Sequence, residues 1–176
     1  MGRVKSSSCL TLSSLSLDEM ANGIDGNHLV VVCNIIDNQV VIKTHTLIDS
    51  GATGYAFIDE DFTRRNNLPL YALKEPRSLT VIDGRPISSD DITHLTKIGL
   101  TINNHQETIP AYVTKLGGYP LTLGIPWLRQ HNVSINFAAD TLTFESDYCL
   151  KNCTSDITWI HGIEEEIPHF LSAFTT

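Results

Sequence analysis

The chain has 176 residues, enough for one domain with tails and a sizeable core, and its net charge is −8. This acidic balance and the lack of any Lys/Arg run argue against binding to duplex nucleic acid, and no apolar window reaches membrane-spanning length. Four scattered cysteines do not make a secreted disulfide framework, so we expect a reducing, cytoplasmic (intracellular) or particle-associated setting.

The two ends of the chain differ from its middle. Residues 1–27 are rich in serine, and we interpret them as a flexible leader before one folded domain at residues 28–145. Residues 146–176 match no pattern and form a tail of unknown structure. The start at Gly2 formally fits an N-myristoylation signal, with Cys9 available for a second acyl chain, but the sparse positive charge nearby favours a chance match.

Two strand-like segments open the domain, at residues 28–36 and 40–48, with turn chemistry at Asp37-Asn38. The apolar residues of the first segment suggest burial on both of its faces. The second segment runs directly into Asp49, and the chain becomes apolar again at Tyr55. A carboxylate at the end of a buried strand is costly unless it is hydrogen-bonded or has a function.

Residues 49–54, called the Asp49 loop below, have a composition suited to holding that carboxylate. Gly51 has no Cβ, so backbone N–H groups can approach the acid, while the Ser50 hydroxyl can lock the loop and Ala52 is small enough to sit beneath it. An isolated Asp-Ser-Gly triplet is usually a plain turn. The long apolar runs on both sides favour a functional loop instead.

The rest of the domain divides into short elements. Acidic residues 59–61 predict a helix start, and residues 66–69 predict its end. Residues 78–96 and 97–113 predict two hairpins, and residues 121–124 a short buried strand. Further elements are a helical turn that starts at Pro126 and carries Trp127 into the core, and a last hairpin at residues 133–144.

Two motifs carry a family resemblance. The segment Asp49-Ser50-Gly51-Ala52-Thr53, followed by Phe57-Ile58, resembles the active-site segment of retropepsin-like aspartic proteases, in particular the protease region of gypsy-type LTR retrotransposon polyproteins. The segment Pro120–Leu128, with His131 and residues 133–137, is similar to the Gly-containing strand and short helix behind the catalytic loop in that family. The resemblance covers residues 28–145, and two motifs in the family's order are more specific than either alone.

The resemblance implies an all-β fold, mainly β with one or two short helices, closed into a retropepsin-like half-barrel. It implies that Asp49 is catalytic, that Ser50, Gly51, Ala52 and Thr53 support it, and that Leu123, Gly124 and Ile125 form the strand behind the loop. A substrate-covering flap would fall at Ile82, Asp83, Gly84 and Arg85. This flap departs from the family, whose best-known members have glycine-rich tips.

A count of motifs implies a homodimer. The chain contains one Asp-Ser-Gly triplet, whereas aspartic protease chemistry needs two carboxylates that share a water. The second Asp49 would come from a second copy across a two-fold axis. We therefore expect an aspartic endopeptidase that acts on peptides or polyproteins, with no cofactor or metal and with no nucleic acid or membrane as partner.

Two alternatives stay open. A catalytically silent retropepsin-like module for dimerisation or peptide binding would keep the same fold, and the capsid, reverse transcriptase and integrase regions that usually accompany such proteases are not visible in these residues. Separately, Cys149 and Cys153, with His161 and His169 downstream, could form a zinc knuckle. The spacing of these four residues is loose, and free thiols are the favoured interpretation.

Overall fold

The computed structural model describes residues 28–79 and 91–153, and the statements below concern those residues. In chain order the elements are β1 (Val30–Asp37), β2 (Val40–Asp49), β3 (Ala56–Asp59), α1 (Glu60–Arg65), β4 (Tyr71–Arg77), β5 (Ile92–Ile102), β6 (His105–Thr114), β7 (Leu121–Gly124), α2 (Ile125–His131), β8 (Ser134–Asn136), β9 (Thr141–Thr143) and α3 (Asp147–Asn152). The expectation of a mainly β fold with short helices is confirmed.

Six strands close into a barrel. Their order is β1-β2-β7-β3-β6-β5, and β5 pairs back onto β1 through the register Ile35↔Leu100. The remaining strand of this sheet, β4, pairs with the first part of β5 (Tyr71↔Leu95), whereas β1 pairs with its last part; β8 and β9 form a separate two-stranded sheet. This closure pairs β1 with β5, so neither strand is left with a fully open edge.

Local turn chemistry sets two of the hairpins. Between β1 and β2 the two turn residues are Asn38 and Gln39, both with positive φ (43° and 73°), one position later than the sequence indicated. Between β5 and β6 the turn is Asn103-Asn104, again with a left-handed asparagine at φ 54°. The predicted hairpin is confirmed here, although His105 belongs to β6 and not to the turn.

Only one face of β1 is buried. Val31 is 6% exposed and Ile35 is fully buried, whereas Val32, between them in the alternation, is 64% exposed. The expectation of burial on both faces is therefore wrong for this strand. Because β1 is part of a barrel wall, its inward side chains meet the core and its outward ones are half-buried or exposed.

The first helix depends on one aspartate. Asp59, the last residue of β3, accepts a hydrogen bond from the Phe62 N–H through Oδ1 (2.9 Å) and one from the Leu116 N–H through Oδ2 (3.1 Å). It therefore caps α1 and fastens the loop before β7 at the same time. Acidic residues fill the first turn of α1 and Arg64-Arg65 the last, as the helix dipole favours.

The C-terminal end of the described region packs onto the barrel. Helix α3 begins at Asp147, inside the segment that the sequence left as a tail of unknown structure, and it contacts α2. Its Cys149 is buried, as is Cys153 directly after it. No helix in the described ranges has the length and apolarity needed to cross a membrane.

Candidate active site

Asp49 is the last residue of β2, and strand pairing determines what lies beside it. Strands β2 and β7 run parallel, and their register places Asp49 opposite Gly124. Both strands therefore end at the same edge of the barrel. The Asp49 side chain is half-buried there. The Gly51 N–H donates a hydrogen bond of 2.8 Å to its Oδ1, as the sequence predicted for a loop without a Cβ at that position.

Gly124 allows β7 to pass unusually close to the Asp49 loop. A Cβ at this position would lie 2.0 Å from the Gly54 carbonyl oxygen and 2.8 Å from that of Ala52. Backbone hydrogen bonds use this proximity: the Gly124 N–H donates to the Tyr55 carbonyl (3.0 Å), and the Ile125 N–H donates to Ala52 (2.9 Å). The loop is thus fastened to β7 and α2 by main-chain groups.

The other residues predicted to form or support the Asp49 loop differ in their exposure to solvent. Ser50, Gly51 and Thr53 are exposed at the loop surface, and Ala52 is partly buried. Leu123 is fully buried beneath the loop. Ile125 is the first residue of α2 and not part of β7, but it still reaches the loop through its backbone N–H.

Gly54 is a further glycine on which the loop depends, and the sequence pattern did not indicate its role. A Cβ on this residue would lie 2.2 Å from the Phe57 ring, so the ring packs directly against the glycine backbone. Gly54 also supplies the carbonyl that lies against Gly124. In the sequence it is visible only as a second glycine three residues after Gly51. Its role depends on the contact with Phe57, which the sequence does not show.

The predicted flap residues Ile82, Asp83, Gly84 and Arg85 lie outside the described residues, so their assignment stays a prediction. The strands on either side are described: β4 and β5 are antiparallel, with Arg77 opposite Ile92. Just beyond this pair, the Ser78 hydroxyl donates a hydrogen bond of 2.8 Å to Asp91.

A group of buried polar side chains lies behind the loop, and nothing in the sequence pattern predicted it. The hydroxyl of Tyr55, the residue directly after the loop, is 3.3 Å from Nε2 of His131 on α2. The same imidazole nitrogen lies 3.2 Å from the Glu107 carboxylate on β6, which also accepts a 2.7 Å hydrogen bond from the Trp127 indole. Burial alone would raise the pKa of Glu107, but hydrogen bonds from His105, His131 and Trp127 outweigh it and lower this pKa to about 2. An ionised carboxylate is therefore held inside the fold.

The protein-family model of the PEG10/RTL1 protease domain matches residues 45–153, which is 109 of the 176 residues. The chain belongs to the PEG10/RTL1 protease domain family. This family is retropepsin-like and comes from gypsy-derived genes, so the resemblance inferred from the two sequence motifs is confirmed. The matched residues include Asp49, Gly124 and α3.

Among solved structures, the chain is similar to the crystal structure of the retroviral protease-like domain of Ddi1 from Leishmania major. The two share 20% sequence identity, with a TM-score of 0.43. The similar region covers 73% of this chain and 93% of the other.

Proposed function

We propose that this PEG10/RTL1-type domain is an aspartic endopeptidase that is active as a homodimer. The observation that supports the proposal is the setting of Asp49: a half-buried carboxylate at a strand end, hydrogen-bonded by the Gly51 N–H. The loop that carries it is fastened to the Gly124 strand at a distance that only glycine permits. Such a site holds a carboxylate rigidly with part of its surface still accessible, as an acid–base group requires.

Two other shielded carboxylates in the described residues, Asp59 and Glu107, have structural roles. Asp59 uses both oxygens, one for the cap of α1 and one for the Leu116 N–H. Glu107 is engaged by two imidazoles and an indole. A second catalytic carboxylate is therefore best supplied by Asp49 of another copy. Retropepsin-like domains generally act as dimers on polyprotein substrates.

The proposed chemistry follows from the repulsion between two acids. Two unit charges about 3 Å apart repel by about 5 kcal/mol at an effective dielectric constant near 20. The pair therefore holds one proton between its two carboxyl groups. The ionised carboxylate removes a proton from the attacking water, and the protonated one donates to the carbonyl oxygen of the scissile peptide.

The test is an endopeptidase assay on the full chain with a mixed peptide library, read by mass spectrometry from acidic to neutral pH. Cleavage should rise more steeply than linearly with protein concentration and should be blocked by a statine-type inhibitor. Asp49→Asn should abolish cleavage without changing the circular dichroism spectrum. Asp140→Asn is the matched control, because this residue is exposed in the β8–β9 turn and its φ of 49° suits asparagine.

Two results would reject the proposal. Cleavage that persists in Asp49→Asn would remove Asp49 from the mechanism. A folded wild-type dimer with no cleavage at any pH would instead favour the catalytically silent dimerisation or peptide-binding module.

A further inference from the structure

Two histidines and two cysteines from separate parts of the chain meet in the core behind the Asp49 loop. One comes from the start of β6, one from the end of α2, one from α3 and one from the residue after α3. All four are buried, and one candidate ligand atom from each lies within 4.8 Å of those of the others. The four residues, called the His/Cys cluster below, are His105, His131, Cys149 and Cys153.

Two distances in the His/Cys cluster match those between neighbouring ligands of a tetrahedral metal ion. With Zn–S near 2.3 Å and Zn–N near 2.0–2.1 Å, neighbouring ligand atoms of a tetrahedral site stand roughly 3.4–3.8 Å apart. Nδ1 of His131 is 3.4 Å from the Cys149 sulfur and 3.8 Å from the Cys153 sulfur. The Cys149 sulfur also lies 3.4 Å from the His131 carbonyl oxygen, so His131 draws both sulfurs to the same place.

The second histidine leaves a polar atom unaccounted for. His105 is 1% exposed, and its Nδ1 has no hydrogen-bond partner among the described residues. A buried nitrogen of this kind costs free energy unless something binds it. A metal ion shared with the two thiols would satisfy it.

Glu107 orients both rings for this role. One carboxylate oxygen lies 3.0 Å from Nε2 of His105, and the other lies 3.2 Å from Nε2 of His131. Since a carboxylate accepts hydrogen bonds, a proton on Nε2 of each ring satisfies these contacts and leaves the lone pair on Nδ1 for a metal ion. Pairs of a carboxylate and a metal-binding histidine are the usual outer shell of protein metal sites.

We propose that His105, His131, Cys149 and Cys153 bind one Zn²⁺ ion and so fasten α3 to the elements that support the Asp49 loop. Thiolate and imidazole ligands in a tetrahedral set are those that Zn²⁺ prefers, and four protein ligands leave no open position, which is the arrangement of a structural site. This site is independent of whether the chain cleaves peptides.

The proposed ligands differ from those considered in the sequence. The two cysteines are the same, but His105 and His131 take the place of His161 and His169, which lie outside the described residues. The proposal also departs from the expectation of a chain without metal.

The test measures metal in the full-length wild-type chain, purified with reduced thiols, and needs no peptidase activity. Elemental analysis should find about one Zn²⁺ per chain, and a chelator should lower the melting temperature by about 5 °C or more, with recovery on adding Zn²⁺. Titration of the metal-free protein with Co²⁺ should give the intense visible bands of tetrahedral Co²⁺ bound to thiolates.

Variants then locate the ion. The double variant Cys149→Ser/Cys153→Ser should lose the Zn²⁺ and the Co²⁺ bands. Cys33→Ala should keep both, because this buried thiol lies on β1 and is not among the clustered residues. A reduced wild-type protein that takes up neither metal would overturn the proposal, even if the double variant fails to fold. Undiminished Co²⁺ bands in a folded double variant would also overturn it.

Discussion

At residue scale, the position of the Asp49 loop depends on two glycines, whose lack of a Cβ allows close packing. Gly124 and Gly54 face each other across the junction between β7 and the loop, and the Gly54 carbonyl occupies the space of the absent Gly124 Cβ. On its other side, Gly54 accommodates the Phe57 ring. A carboxylate can be presented rigidly here because main chain packs directly against main chain.

We therefore expect Gly124→Ala to be destabilising and inactivating. The new methyl carbon would lie 2.0 Å from the Gly54 oxygen, which is backbone and cannot rotate away. The free energy of unfolding should fall by about 1–3 kcal/mol or more, as for other overpacked sites. Urea denaturation followed by fluorescence measures this change.

Gly118→Ala is the matched control for this variant, because a Cβ there would meet nothing within 4 Å. Its unfolding midpoint should stay close to that of the wild type. An equal midpoint for Gly124→Ala would show that the loop does not depend on the close approach described above.

At the scale of elements, strands β2, β3 and β7 position the Asp49 loop. Strand β7 pairs in parallel with β2 and in antiparallel with β3, so it lies between the strand that enters the loop and the strand that leaves it. Helix α1 follows β3 without a linker, and Asp59 belongs to both the strand end and the helix cap. The cap therefore also determines where the strand after the loop must stop.

Asp59→Ala should lower the free energy of unfolding by about 1–2 kcal/mol, because it removes the cap of α1. It also removes the acceptor of the Leu116 N–H. Thermal or urea unfolding of the variant measures this loss. Asp61→Ala is the control: this residue pairs with Arg64 on the same helix, but both side chains are mostly exposed, so the change should be within about 0.5 kcal/mol. Equal losses in the two variants would contradict the capping role.

At the scale of the whole molecule, the proposed activity needs a second copy of the chain. Each copy has one Asp-Ser-Gly loop, and the barrel closes without bringing another free carboxylate to it in the described ranges. The proposed zinc site would stabilise each copy separately, whereas catalysis would depend on protein concentration.

Mixing subunits tests this dependence directly. When folded Asp49→Asn protein is added to a fixed amount of wild type under conditions where all chains are dimeric, wild-type pairs become rarer. Random pairing should reduce activity to about half at equal amounts and to about a quarter with a threefold excess of the variant. Activity that stays level or rises on mixing would show that one Asp49 is enough.

Local pattern in the sequence was sufficient for several elements. The acidic start of α1, Pro126 at the start of α2, and the alternation on β5 and β6 all predicted elements that the structure contains. The prediction that Asp49 is catalytic also came from local pattern, because an acid between two apolar runs is unusual and the Asp-Ser-Gly motif is contiguous; this role stays a prediction. In each case the physical cause acts between residues near each other in the chain.

Other features of the structure depend on how distant elements pack in the closed barrel. The sequence alone could not show that one face of β1 reaches solvent, because an apolar run does not reveal whether one or both faces of a strand are buried. It could not assemble His105, His131, Cys149 and Cys153 either, since these residues are brought together only when β6, α2 and α3 pack. The sequence by itself determined where the acid lies and what local loop surrounds it. The tertiary structure decided what lies behind that loop, because contacts between distant segments depend on strand order and register, which no short stretch of sequence encodes.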